Sequence, residues 1–252
     1  MRLIRTGFLF LMVCLVFAPV SDAWTWDTHS EIVDVVYQGL PTDVQQKLDL
    51  NIMRNASNDP DEVFKDFTDH SYPKSYEKAK SWLDQGKAAY DRGDYKNASY
   101  DYGVASHYIS DTFSAPHCVS GESSSDHSKY EDQAKKLKPS ATYSSGDLKS
   151  KMETGYNQGK ISWSEWLKTK DNAIVQNNLN MGASTALSAI QDSINNTTST
   201  QPVNTKVIQN TTASNDNTTP NPVNDTPINF WVPLAIVLLL ILGLVAYMFL
   251  RK

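Results

Sequence analysis

The stretch from Asp94 to His117, DYKNASYDYGVASHYISDTFSAPH, decides how this chain folds. Tyr95, Ala98, Val104 and Ile109 are the apolar positions of a long helix from Asp94 to about Phe113, and Pro116 ends it. His107 and Asp111 stand four apart on that helix, so both side chains leave the same face and can share one metal ion. His127 and Glu131 repeat the spacing on the next helix, and His117 sits after the proline break between them. A lone His-x-x-x-Asp is usually a surface or core pair. Two such pairs with a third histidine between them point to bound metal. Imidazole and carboxylate ligands without thiolate suit zinc in a catalytic setting, where one position stays open for water.

The flanking sequence reads as helices throughout. Thr28-x-x-Glu31 has the form of a capping box before Val33, Val36 and Leu40, and His29 falls on the same inward face. Pro41-Thr42-Asp43 restarts the chain, and Val44, Leu48 and Ile52 suggest a second helix. A third runs from about Ser75 to Tyr90, broken from the long helix by RGDYK. Later helices are expected over Tyr130–Leu137, Lys149–Tyr156, Ser164–Leu167 and Ala173–Ile194. No stretch alternates as a strand would, so the fold class is all-α, a single multi-helix bundle.

The ends of the chain have different compositions. Residues 1–23 read as a secretory signal: Arg2 and Arg5, an apolar core from Gly7 to Phe17, and Ser21-Asp22-Ala23 as a small-x-small cleavage site. Residues 24–194 form the expected catalytic domain. Residues 195–229, rich in Asn, Thr, Pro and Ser, bury too little surface to offset chain entropy and read as a disordered stalk. Asn196, Asn210, Asn217 and Asn224 start glycan acceptor sequences there, as do Asn55 and Asn97 in the domain. From Phe230 to Leu250 the chain carries no charge, enough to cross the ~30 Å hydrocarbon layer as a transmembrane helix. Arg251 and Lys252 would be its cytoplasmic tail, leaving the domain outside the cell membrane.

With Cys14 removed in the signal, Cys118 stands without a disulfide partner, so another device must stabilise an exported domain. The net charge of −5 argues against broad nucleic-acid affinity but not against a nuclease that grips phosphate through metal ions.

Together, RGDYKNASYDYGVASHYISDTFSAPH and HSKYE resemble the zinc-dependent phospholipase C family, which shares its fold with the S1/P1 nucleases. The resemblance runs from Trp24 to about Ile194 and implies an all-α bundle with three zinc ions in a cleft. Its mature chains begin with tryptophan, whose free α-amino group and carbonyl oxygen are zinc ligands. Trp24 matches that residue and His29 the next ligand of the same ion; an α-amine titrates near ~8, low enough to yield its proton to a metal. Signal cleavage would thus create a ligand. The resemblance further assigns Asp61, His70, His107 and Asp111 to a second zinc, with Asp111 bridging to the first, and His117, His127 and Glu131 to a third. The family's aspartate commonly follows a proline, which favours Asp61 over Asp59, Asp66 and Asp69. Asp61 would also orient or deprotonate the attacking water.

The expected activity is phosphodiester hydrolysis, with phospholipid cleaved to diacylglycerol and a phosphorylated headgroup. The closing His-x3-Glu pair and the tether to a membrane favour a lipid substrate. The alternative is a single-strand nuclease or 3′-nucleotidase of the S1/P1 type, favoured by the five-residue step from Trp24 to His29. Such nucleases place an aromatic directly after the histidine matching His70; here that residue is Ser71, with Tyr72 next. A third reading is an inactive cell-surface binding protein in which zinc only holds the fold. No protein partner is implied.

Overall fold

A computed structural model describes residues 24–195. The expected signal at 1–23, all but the first residue of the expected stalk at 195–229, and the expected transmembrane run at 230–250 lie outside the described residues. Among the described residues every regular element is helical, and no helix is long and apolar enough to cross a membrane.

The helices are α1 (Trp26–Gly39), α2 (Thr42–Gln45), α3 (Leu50–Ala56), α4 (Asp59–Glu62), α5 (Lys74–Asp91), α6 (Tyr95–Asp111), α7 (Ser124–Ala134), α8 (Leu148–Thr169) and α9 (Asn172–Asn195), with a 3-10 turn at Ala115–Cys118 before α7. Helix α6 is the axis. It is buried on all sides from Asp101 to Asp111, because α5, α3, α9 and α1 pack around it. A buried helix must satisfy its polar side chains internally. Ser99 Oγ donates to the Tyr95 carbonyl at 2.6 Å and accepts the Asp49 amide at 2.8 Å; Ser106 Oγ donates to the Tyr102 carbonyl at 2.9 Å.

Two glycines permit close crossings that position the site. A Cβ on Gly103 would lie 2.4 Å from the Met53 carbonyl oxygen, so only glycine lets α3 rest on α6. A Cβ on Gly159 of α8 would meet Cys118 Sγ at 2.2 Å, which fixes how closely α8 presses the turn bearing His117.

Several expected boundaries move. Helix α1 starts at Trp26, and Thr28 lies inside it with its hydroxyl 3.2 Å from that of Thr25, so it is not a capping residue. Burial of Trp24 against α6 fixes the chain's entry earlier than the capping pattern suggests. The second expected helix is two short ones, α2 and α3, with Asp49 capping α3 through the Asn51 and Ile52 amides. The two segments expected at 149–156 and 164–167 are one continuous α8, whose apolar face is carried by Met152, Gly155, Gly159, Trp163 and Trp166. Asn195, expected to begin the stalk, is the last residue of α9.

Between α7 and α8 the chain runs along α9 as a strap. Gln176 donates its amide to the Lys138 carbonyl at 2.8 Å, and Asn180 Oδ1 accepts from the Ser140 amide at 2.9 Å. Ser184 Oγ and Ser188 Oγ accept from the Thr142 and Ser144 amides, each at 3.0 Å. The bonds step by two along the strap and by four along the helix.

Candidate metal centre

All five histidines of the chain fall with Asp61, Asp111 and Glu131 into three groups, the last two sharing His117: His29, Asp61 and His107; His70, Asp111 and His117; and His117, His127 and Glu131. Within each group the ligand atoms lie within 4.8 Å of one another. Helix α1 contributes His29 and α4 Asp61. His70 comes from the loop before α5, His107 and Asp111 from α6, His117 from the 3-10 turn, and His127 and Glu131 from α7.

Asp111, wholly buried, divides its two oxygens. Oδ1 lies 3.4 Å from His29 Nε2, whereas Oδ2 lies 3.1 Å from His107 Nε2 and 2.6 Å from His70 Nδ1. Asp61 Oδ1 faces the same two rings from the other side, 3.5 Å from His70 Nε2 and 3.9 Å from His107 Nε2. Asp59, two residues earlier, accepts a hydrogen bond from Tyr100 and belongs to none of the three groups. On α7, His127 Nε2 lies 2.8 Å from Glu131 Oε1.

The ring orientations are fixed from behind. His107 Nδ1 donates to the Ser57 carbonyl at 2.8 Å, turning Nε2 inward. Ser110 Oγ donates to the His107 carbonyl at 3.0 Å, and therefore accepts from His29 Nδ1 at 3.3 Å. His70 Nε2 donates to the Asp66 carbonyl. Such outer partners set tautomers and ring planes in metal sites. Trp24 is buried beside them: its indole N–H donates to the Ser110 carbonyl at 3.1 Å and its ring stacks on Tyr130 at 5.5 Å.

Burial, reinforced by the neighbouring His107, holds the His29 imidazole well below its ordinary range. Burial pushes the Asp111 carboxyl up, but the charge of His107 and the hydrogen bonds from His107 and His70 outweigh it and hold Asp111 well below the usual carboxylate range. His29 Nε2 and Asp111 Oδ1 are thus two buried acceptors, neither with a hydrogen bond, facing each other. Two buried lone pairs do not face each other without a cation between them. Two ligands ~2.1 Å from a zinc ion at the tetrahedral angle stand roughly 3.4 Å apart, the separation seen here. The donor set fits zinc.

Burial lowers His70 too, yet the hydrogen bond and charge of Asp111 lift it to about 9. Burial pushes His117 down to about 3, although its edge reaches the cleft. His127 is lowered by burial but raised overall by Glu131 and Glu122.

An open cleft of about 200 Å³ lies over these groups, lined by Asp61, His70, His117 and His127 on its floor and by Phe67 and Glu122 on its walls. A profile of the family described as zinc dependent phospholipase C matches residues 28–176. The chain belongs to this family. Among solved structures, alpha toxin from Clostridium absonum is similar in fold, with a TM-score of 0.50 at 17% identity; the match covers 68% of this chain and 64% of the toxin. The chain therefore spans less than two thirds of the toxin's length. No curated protein matches in sequence.

Sequence reasoning missed Glu122, whose Oε1 lies 3.4 Å from His127 Nδ1. It stands on a loop just after Gly121, which has a φ of 76°, so no periodicity marks it. Ser110 was missed as well, and Asp66 was weighed only as a side-chain ligand. Ser110 reads as one more small residue inside the buried helix, and Asp66 acts on His70 through its backbone carbonyl, which no side-chain pattern reveals.

Proposed function

We propose that the chain is a zinc-dependent phosphodiester hydrolase whose substrate is phospholipid, cleaved to diacylglycerol and a phosphorylated headgroup. The observation that carries this reading is the pair of buried acceptors His29 Nε2 and Asp111 Oδ1 beneath an open cleft. The proposed ligand sets follow the family resemblance: Trp24, His29 and Asp111; Asp61, His70, His107 and Asp111; and His117, His127 and Glu131, although by proximity alone Asp61 groups with His29 and His107, and His117 also with His70 and Asp111. When bound, zinc polarises phosphoryl oxygens and lowers the pKa of water toward ~7.

The chain's own residues supply position and proton transfer. Asp61 lies at the cleft floor on the four-residue helix α4, placed to accept a proton from the attacking water. Phe67 and Glu122 offer an aromatic face and a carboxylate on the wall, which suits a cationic headgroup and repels a polyanion. Tyr72, the residue the nuclease reading would use to stack a base, instead packs against Tyr156 of α8 at 5.8 Å and does not line the cleft. The wall chemistry therefore favours lipid over nucleic acid. The extracytoplasmic location, the anchor at 230–250 and the freeing of the Trp24 α-amine by cleavage after Ala23 belong to the same proposal and rest on sequence alone.

The test is to load the chain with zinc and offer phosphatidylcholine micelles and single-stranded DNA in parallel. Chelator-sensitive release of phosphocholine is expected. Nucleotide release with the lipid intact would replace this reading by the nuclease one. Neither product from a fully zinc-loaded chain would leave the binding-protein reading.

A further inference from the structure

Seven large apolar side chains stand exposed among the described residues, and three of them, Val63, Phe64 and Phe67, lie within one short loop. Scattered exposure is ordinary; a cluster beside a cleft marks an interaction surface. Val63 is 64% exposed, Phe67 42% and Phe64 39%. Phe67 and its neighbour Thr68 line the metal cleft, so this apolar loop is also the lip of the site. Between the apolar residues stands Lys65, exposed at a φ of 53°. A non-glycine residue in the left-handed region carries strain that the surrounding structure must hold in place.

The root of the loop supplies that hold. The Asp66 carboxylate accepts the Tyr108 hydroxyl at 2.9 Å, the Lys78 ammonium at 3.1 Å, and the amides of Thr68 and Asp69, each at 3.2 Å. Burial pushes Asp66 up, but the bonds from Tyr108 and Lys78 outweigh it and keep its carboxyl below the ordinary range. Its carbonyl accepts from His70 of the metal centre. The Phe64 ring lies flat on Trp82, 5.8 Å between centroids and 4° between planes. The apolar tip is thus braced outward from a rigid polar base that also orients a metal ligand.

We infer that the loop from Val63 to Phe67 is the surface by which the domain enters a phospholipid bilayer, seating a lipid headgroup in the adjoining cleft. The inference rests on the phospholipase reading. A bilayer is the occupant that fits. A phospholipid's phosphodiester lies at the boundary between water and hydrocarbon, and here the phosphodiester cleft and an exposed apolar tip share one rim. Lys65 sits where a long cationic side chain can lay its methylenes along the apolar phase and keep its ammonium among lipid phosphates.

The test uses the full chain carrying Val63→Cys labelled with an environment-sensitive fluorophore, reconstituted with phosphatidylcholine vesicles that contain a quencher-labelled lipid. Ile161→Cys, at an exposed position on α8, is the control, and Cys118 is buried. A blue-shifted, quenched signal at position 63 and an aqueous one at position 161 are expected. Val63→Asp should lower hydrolysis of vesicle lipid about tenfold relative to hydrolysis of monomeric short-chain phosphatidylcholine, because a charge replaces an inserted apolar group. A label at 63 that stays aqueous while vesicle lipid is hydrolysed overturns the inference. So does a concentration-dependent shift without vesicles, which would mean that a second copy of the chain covers the loop. Insertion without hydrolysis of either lipid form would support the docking surface and sink the phospholipase reading.

Discussion

Replacing Asp111 with asparagine keeps the shape of the side chain and removes its charge, and the consequences differ with and without zinc. In the metal-free protein the carboxylate accepts from His70 and lifts it from 6.5 to about 9. A raised folded-state pKa stabilises fully below ~6.5, and that stability is lost as pH rises through about 9. The variant loses this contribution. At pH 7 the metal-free fold should weaken by at most about 3 kcal/mol, from ~1.4 kcal/mol per pKa unit, and the deficit should vanish above pH 9. Less is expected in practice, since desolvation of the buried carboxylate is relieved at the same time. With zinc the loss is larger. Oδ1 faces His29 while Oδ2 faces His70 and His107, so on the proposed ligand sets one substitution would remove a ligand from two ions. Removing even an outer partner costs 10–100-fold in affinity, so about 100-fold per ion is a modest expectation for a direct ligand. That is ~2.7 kcal/mol per site at fixed free zinc, hence roughly 5 kcal/mol in all. The zinc-induced rise in Tm should shrink by roughly 10–20 °C. Calorimetry with and without zinc reads this, and elemental analysis after dialysis against a weak chelator should show two ions fewer, against one fewer for His127→Ala. Loss of a single ion from Asp111→Asn, or an undiminished zinc-induced rise in Tm, refutes the bridging argument.

The other expectations are narrower. One residue added before Trp24 should weaken the ion shared by Trp24 and His29 while leaving that of His117, His127 and Glu131 intact; unchanged zinc stoichiometry and activity would dispose of the α-amine ligand. Gly159→Ala places a Cβ 2.2 Å from Cys118 Sγ, and chemical denaturation should show a loss of about 1–3 kcal/mol, with a wild-type midpoint showing that the crossing of α8 can relax. Asp101 is buried, and burial raises its carboxyl from 3.8 to about 6. Its ionised form opposes folding at pH 7, an effect relieved as pH falls below about 4, so Asp101→Asn should stabilise by about 1–2 kcal/mol at pH 7 and by little at pH 3. Equal stabilisation at both pH values would show that the gain is not electrostatic.

How much of this was legible in the sequence varies with the range of the interaction. The four-residue steps from His107 to Asp111 and from His127 to Glu131 are local, and helix geometry alone puts each pair on one face. Joining those pairs to His29, Asp61 and His70 required chain reversals that periodicity does not encode; there the family resemblance supplied the grouping. The helix N-terminus at Trp26 was misread because the Thr28 pattern is a local signal, whereas burial of Trp24 under α6 is a tertiary one. The gap between the segments at 149–156 and 164–167 was misread for a related reason. Gly155 and Gly159 carry no apolar side chain to mark a helix face, yet they are the contact surface of α8 against Phe113 and Cys118. The lip at 63–67 was invisible in advance, since exposed apolar residues in a loop carry no periodic mark.

The strap along α9 behaves as a vernier between two rulers of unequal pitch. Two residues of extended chain advance roughly 6.6 Å. Four residues of helix advance roughly 6.0 Å. Each rung therefore slips by about 0.6 Å, and the three steps from Gln176 to Ser188 accumulate about 1.8 Å. The helix side chains change with the slip, from Gln176 and Asn180 at one end to Ser184 and Ser188 at the other. A next rung would pair residue 146 with Asp192, but Asp192 is taken by the Tyr143 hydroxyl at 2.8 Å, and the chain turns away at Gly146 with a φ of 129°. The strap thus ends where the next partner on the helix is already engaged and the chain turns away. A two-residue insertion within it would leave the chain as a bulge rather than extend the ladder.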